Sequence, residues 1–167
     1  MDKKVKEKNI ILELLPYIII VLVVLLIKTF VVAPIRVNGA SMDNTLRNKD
    51  IMLLDKISYR FEDIKRFDIV VVKHKDDYLI KRVIGMPGEK IESKENEIYI
   101  NDKKLDYKFK HSYTDDFAAF VPEGNYFLLG DNRVVSLDSR EFGSFGKEDI
   151  LGKTSLVIFP FERFGFK

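Results

Sequence analysis

The pattern of apolar and polar positions divides the chain into two unequal parts. From Leu14 to Ile27 it reads LLPYIIIVLVVLLI without a charge; Lys28 and Thr29 follow, then Phe30, Val31 and Val32. At about 1.5 Å per residue, a helix over residues 14–32 has close to the length needed to cross a bilayer core. Pro16 sits near its start, where a missing N–H costs least. Lys28, near the other end, can extend its amine to the headgroups. Beyond residue 32 the period shortens. β-type runs at residues 50–57, 68–73, 78–84, 97–100, 125–129 and 153–159 are separated by turn signals such as Asn38-Gly39, Pro87-Gly88 and Gly130-Asp131-Asn132. Residues 61–64 read as one helical turn. The polar stretch 92–116 reads as surface hairpins and loops. The pattern predicts a mainly β protein: a single N-terminal transmembrane helix, then an antiparallel sandwich or partly open barrel. Residues 1–13 form a basic leader, 14–32 an anchor and 33–167 one domain.

Composition narrows the function classes. Lys plus Arg number 28 and Asp plus Glu 26, so the net charge of +2 gives no basic face for nucleic acid. There is no Cys, and His74 and His111 are the only histidines. Disulfides, a thiol nucleophile and a multi-His metal site are therefore not expected, and no cofactor is implied. The leader carries Lys3, Lys4, Lys6 and Lys8, against Lys28 and Arg36 on the far side of the apolar run. This bias places the N-terminus in the cytoplasm and residues 33–167 outside. A buried core helix or a cleaved signal sequence are the alternatives for the apolar run. It is long for the latter, and Ala33 is followed at once by Pro34, a poor place to cut.

Three segments concentrate chemistry. Ser41 follows a turn at Val37-Asn38-Gly39-Ala40, and a serine there can be a nucleophile flanked by exposed backbone N–H groups, or simply a turn residue. Lys81 and Arg82 adjoin inside a β-type run, so they point to opposite faces and one must face a side that Ile84 and its neighbours can bury. Burial lowers a lysine pKa, and a neutral amine can accept a serine's proton. The other reading is an edge strand with two solvated cations. Asp131, Arg133, Ser136, Asp138, Ser139 and Arg140 form a polar knot, either a solvated loop or a buried ion-pair network.

Taken together and in this order, the segments resemble the type I signal peptidase family, and its short single-anchor Gram-positive form in particular. Gly39-Ala40-Ser41-Met42 resembles the nucleophile box, usually G-x-S-M-x-P-T. Lys81-Arg82-Val83-Ile84-Gly85-Met86-Pro87-Gly88 resembles the general-base box. Gly130-Asp131-Asn132-Arg133 with Ser136, Asp138, Ser139 and Arg140 resembles G-D-N-R-x-x-S-x-D-S-R. The resemblance implies a serine endopeptidase that removes signal peptides at Ala-x-Ala-like sites, with shallow pockets for small side chains and substrate bound as an added strand. It implies Ser41 as nucleophile, Lys81 as general base, Ser136 orienting the lysine amine, and Asp131–Arg82 and Asp138–Arg140 as structural ion pairs. Met42 is expected to line the cleft, and the Ser41 N–H to serve the oxyanion. In some relatives a hydroxyl two residues before the nucleophile helps; here Gly39 occupies that place. Asn44 stands where the family has Pro, and Val135 where it often has Asn.

The expected partners are preprotein signal peptides and the lipid bilayer, with a monomeric enzyme in the plasma membrane. A Ser–His–Asp protease would need His74 or His111, both in polar turns. A self-cleaving repressor-type peptidase would carry a DNA-binding segment rather than an anchor. A non-catalytic anchored β domain would not need Ser41 and Lys81. For the four phenylalanines among residues 159–167, packing into the β core is expected rather than contact with the bilayer interface.

Overall fold

The computed structural model describes residues 10–107, 110 and 112–167. The leader lysines and His111 lie outside the described residues. Helix α1 (Ile10–Phe30) contains the apolar run. Its side chains from Leu14 onward are exposed on every side, and the helix is long and apolar enough to cross a membrane. The helix stops two residues earlier than the apolar run suggests. Lys56 donates to the carbonyls of Lys28 and Thr29 at the α1 C-terminus (3.5 and 3.2 Å), where a cation is favoured. Val32 already begins a strand.

The strands are β1 (Val32–Arg36), β2 (Ile51–Asp55), β3 (Ile69–His74), β4 (Asp77–Gly85), β5 (Lys90–Lys94), β6 (Glu97–Ile100), β7 (Lys103–Lys104), β8 (Phe117–Phe120), β9 (Asn125–Leu129), β10 (Phe145–Gly146), β11 (Ile150–Phe159) and β12 (Gly165–Phe166). They form two antiparallel sheets that do not close. The larger runs β1-β2-β11-β3-β4-β9-β10, with β12 also on β11; the smaller runs β7-β6-β5-β8. The fold is therefore mainly β.

Three apolar clusters set the rigid frame. Ile64, Val70, Val72, Val83, Tyr126, Leu128, Phe145 and Ile150 fill one. Ile84, Ile91, Ile98, Val121, Phe127 and Leu129 join the two sheets in another. Val37, Met42, Leu46, Met52, Ile69 and Val157 form the third, beneath the loop that carries Ser41. Burying each such side chain contributes on the order of 1.5–3 kcal/mol.

Several expectations need correction. The stretch 92–116 is not only surface: Glu92, Ser93, Ile98 and Thr114 are buried, because β5 and β6 lay one face on the larger sheet. The helical turn lies at Ser58–Arg60 rather than 61–64. The C-terminal phenylalanines do not close the core; Phe159, Phe161, Phe164 and Phe166 are all exposed.

Candidate active site

Register places the site's cations. Along β4, Lys81 pairs with Val70 and Arg82 with Ile69, so the two point to opposite faces. Both faces are covered here, and both side chains are buried, at 3% and 6% exposure. This is more than one buried cation of the two. The cause is tertiary: β4 lies inside the sheet, with the loop 37–50 and the third polar segment folded over it.

Lys81 Nζ lies 2.9 Å from Ser41 Oγ. Burial pushes the Lys81 pKa down from 10.5 to about 8; the nearby Asp138 carboxylate opposes that shift and the Arg140 guanidinium adds to it. The amine is thus neutral in a useful fraction of molecules near neutral pH.

Arg82 uses its buried guanidinium against Asp131 (2.9 and 2.6 Å) and donates to the Phe67 carbonyl. Asp131 also accepts from the Thr45 hydroxyl, tying the loop that carries Ser41 to the same carboxylate. Asn132 N–H donates to the Ser41 carbonyl at 2.9 Å, a second tie. Asp138 is fully buried; it accepts from Arg140 (2.9 Å) and from the Gly130 N–H. Arg140 continues to the Arg133 and Ser136 carbonyls, closing the loop on itself. Ser139 Oγ accepts from Leu128 N–H. Met42 is buried in the third apolar cluster and lines the groove described below.

Ser136 is placed differently from expectation. Its Oγ is buried and makes no hydrogen bond, to Lys81 or to any other described residue. It lies where a Cβ on residue 130 would stand, beside the Ser41 carbonyl, so only glycine at 130 leaves it room. A buried hydroxyl without a partner costs about 1–3 kcal/mol.

Two further residues carry the site, neither of them assigned a role of its own by the family resemblance. Thr45 is one. Arg133 is the other: its buried side chain donates to the Gly130 carbonyl and to Thr114 Oγ1, and burial lowers its pKa to about 10. Thr45 occupies the last position of the nucleophile box, and Arg133 the fourth of the third box; those matches were the available signal. His74 instead stacks on Phe142, ring centroids 4.3 Å apart.

Asn44 has φ of +90°. Proline is fixed near −65° and cannot adopt this, whereas Asn tolerates the left-handed region. The departure from the family pattern therefore changes the local backbone. Asn44→Pro is expected to distort the Ser41 turn and destabilise the domain by roughly 1–3 kcal/mol, while Asn44→Gly stays near wild type. Thermal unfolding of the two variants checks this, and a fully stable proline variant would refute it.

Above Ser41 and Lys81 runs a groove of about 720 Å³, between Ala33–Val37 on one side and Tyr78–Lys81 on the other. In the sheet order β1 is a terminal strand, and β9 pairs β4 only from Arg82 onward. The groove is thus flanked by backbone edges that an extended peptide can pair with.

The sequence profile of the family described as "Signal peptidase, peptidase S26" matches residues 10–159. The chain is 38% identical to Signal peptidase I of Bacillus caldolyticus, over 91% of this chain and 93% of that one. It is also 38% identical to Signal peptidase I S of Bacillus subtilis strain 168, over 96% and 95%. A crystal structure of a signal peptidase I from Enterococcus faecalis is 34% identical, covers 55% of this chain and 97% of that one, and superposes with a TM-score of 0.49. With profile and full-length relatives agreeing, the chain belongs to the signal peptidase family, peptidase S26.

Proposed function

We propose that this protein removes N-terminal signal peptides from exported preproteins, cutting after small-x-small sites such as Ala-x-Ala, with Ser41 as nucleophile and Lys81 as general base. The observation that carries the dyad is the 2.9 Å approach of the buried Lys81 amine to Ser41 Oγ at the floor of the groove. The Ser41 hydroxyl gives its proton to the neutral Lys81 amine as its oxygen attacks the scissile carbonyl. The oxyanion that forms is held by the Ser41 N–H. Collapse expels the amine of the mature protein, which takes its proton from Lys81, and leaves the signal peptide as an ester on Ser41. Water, deprotonated by Lys81, then hydrolyses that ester. When Ser41 Oγ turns to substrate the Lys81 amine loses its partner, and the Ser136 hydroxyl, buried without a partner of its own, takes over that hydrogen bond. The Asp131–Arg82 and Asp138–Arg140 pairs hold the third segment against the nucleophile loop.

The groove wall of Ala33, Ile35, Val37 and Ile80 is apolar and suits small side chains. Helix α1 anchors the enzyme in the bilayer with its N-terminus cytoplasmic and residues 33–167 outside, as a monomer. Confinement with the signal peptide in one membrane raises their effective concentration. The test is a preprotein with an Ala-x-Ala site, incubated with the full chain in lipid vesicles. A single cut after the final Ala is expected, together with its loss when that Ala becomes a bulky residue. Absence of cutting on several such substrates would overturn the reading.

A further inference from the structure

The loop 37–50 that carries Ser41 contains no helix or strand, and Asn38, Gly39, Ala40, Asn44, Arg47, Asn48 and Lys49 are exposed. Such a loop is mobile unless something fixes it. Its base is closed by backbone pairs between Val37 and Asp50 and between Lys49 and Val37, each 2.8 Å. Its Asp131 and Asn132 ties have been described. A further anchor comes from the opposite end of the chain. Arg163 lies in a short helical turn (Phe161–Arg163) after β11. Its guanidinium donates to both oxygens of Asp50 (3.0 and 3.1 Å from Nε, 3.0 Å from Nη2) and, also through Nη2, to the Thr45 carbonyl at 3.0 Å.

Asp50 is buried, at 2% exposure, and its carboxylate also accepts from the Arg47 N–H. One planar fork thus grips the base of the loop and a peptide four residues beyond the nucleophile. The same residue, Thr45, is held on its other side, by its hydroxyl, to Asp131. Removing either grip leaves Thr45 held from one side fewer. Lysine cannot reproduce the arrangement, because its ammonium is a single point and not a fork.

We propose that Arg163 is a positioning residue for the peptidase reaction: through Asp50 and the Thr45 carbonyl it fixes the loop that presents Ser41 to Lys81. This rests on the assignment of Ser41 as nucleophile. Displacing a reacting atom by about 1 Å costs roughly 100-fold in rate, so the effect falls on kcat and leaves substrate binding in the groove largely intact.

The experiment compares wild type, Ser41→Ala, Arg163→Gln, Arg163→Lys and Phe161→Ala, all as the full chain in vesicles, on the Ala-x-Ala preprotein. The folded fraction is measured by near-ultraviolet circular dichroism, and kcat is expressed per folded molecule. Arg163→Gln is expected to lose roughly 10–100-fold in kcat with KM changed less than about threefold. Arg163→Lys, which keeps a cation beside Asp50 and so remains folded, recovers only part of that loss. Phe161→Ala, whose side chain in the same turn is exposed, stays near wild type. If Arg163→Lys and every folded Arg163→Gln molecule work at the wild-type kcat, Arg163 is purely structural and the proposal fails. Should Arg163→Gln not fold, Arg163→Lys decides alone: a wild-type kcat overturns the proposal and a reduced kcat supports it. Wild-type and Ser41→Ala rates keep the two readings apart: if Ser41→Ala still cuts, the nucleophile assignment itself is wrong.

Discussion

Exchanging Lys81 for Met is expected to lower kcat/KM on an Ala-x-Ala preprotein by about 10²–10⁴-fold, the usual contribution of a general base. Ser41→Ala is expected to fall to background. The reason lies in the 2.9 Å contact between the two side chains and in the burial that keeps the amine from holding its proton tightly. The pH dependence carries the sign. Only the neutral amine can accept the hydroxyl proton, and the Lys81 pKa is about 8. Wild-type kcat/KM should therefore climb about tenfold per pH unit below that value and level off above it. A profile measured between pH 6 and 10 checks this. A flat profile, or a Ser41→Ala variant that cuts normally, would remove the dyad.

The same burial predicts a gain in stability when the base is lost. Lys81 titrates at 10.5 in its ordinary state and at about 8 in the fold. The native state therefore binds fewer protons than the unfolded chain between those values. The resulting penalty is complete below pH 8, fades as pH rises, and is gone above 10.5. At about 1.4 kcal/mol per pH unit it amounts to about 3 kcal/mol at pH 7. Lys81→Met should thus be far less active yet more stable at pH 7, raising Tm by roughly 5–10 °C. The advantage should shrink toward pH 10.5. Thermal unfolding of the full chain in detergent at the two pH values measures it. A Met variant no more stable than wild type at pH 7 would show that the lysine is not held against its own solvation.

Much of this could be read from the residues alone, and the failures have physical causes. The strands Glu97–Ile100 and Asn125–Leu129 were legible to the residue, because apolar runs end at turn-forming Asn101-Asp102 and Gly130-Asp131. Lys90–Lys94 was not: KIESK has one apolar residue, and it becomes a strand because Ile91 completes a cluster with Ile84 and Phe127. The two-residue strands at Phe145–Gly146 and Gly165–Phe166 exist only through their partners. Phe159, Phe161, Phe164 and Phe166 misled because hydrophobicity alone does not say which side of a sheet a segment lies on. Alternation alone showed that Lys81 and Arg82 face opposite ways. That both are buried depends on layers from distant parts of the chain. Arg163 gave no local signal at all, since its partner Asp50 is 113 residues away.

The central position of β11 has a consequence for how the enzyme comes into being. In the larger sheet it lies between β2 and β3, although it is made after both. The nucleophile loop belongs to the β1–β2 hairpin and Lys81 to the β3–β4 hairpin, and in that sheet β11 is the strand that joins them. During synthesis, a chain that has not yet delivered residues 150–159 holds both Ser41 and Lys81 but lacks the strand that joins their hairpins. Non-local pairings of this kind form late and slowly. Until β11 is in place, the β1–β2 and β3–β4 hairpins are two separate pieces of the larger sheet, so the 2.9 Å approach of Lys81 to Ser41 draws on a strand made after both.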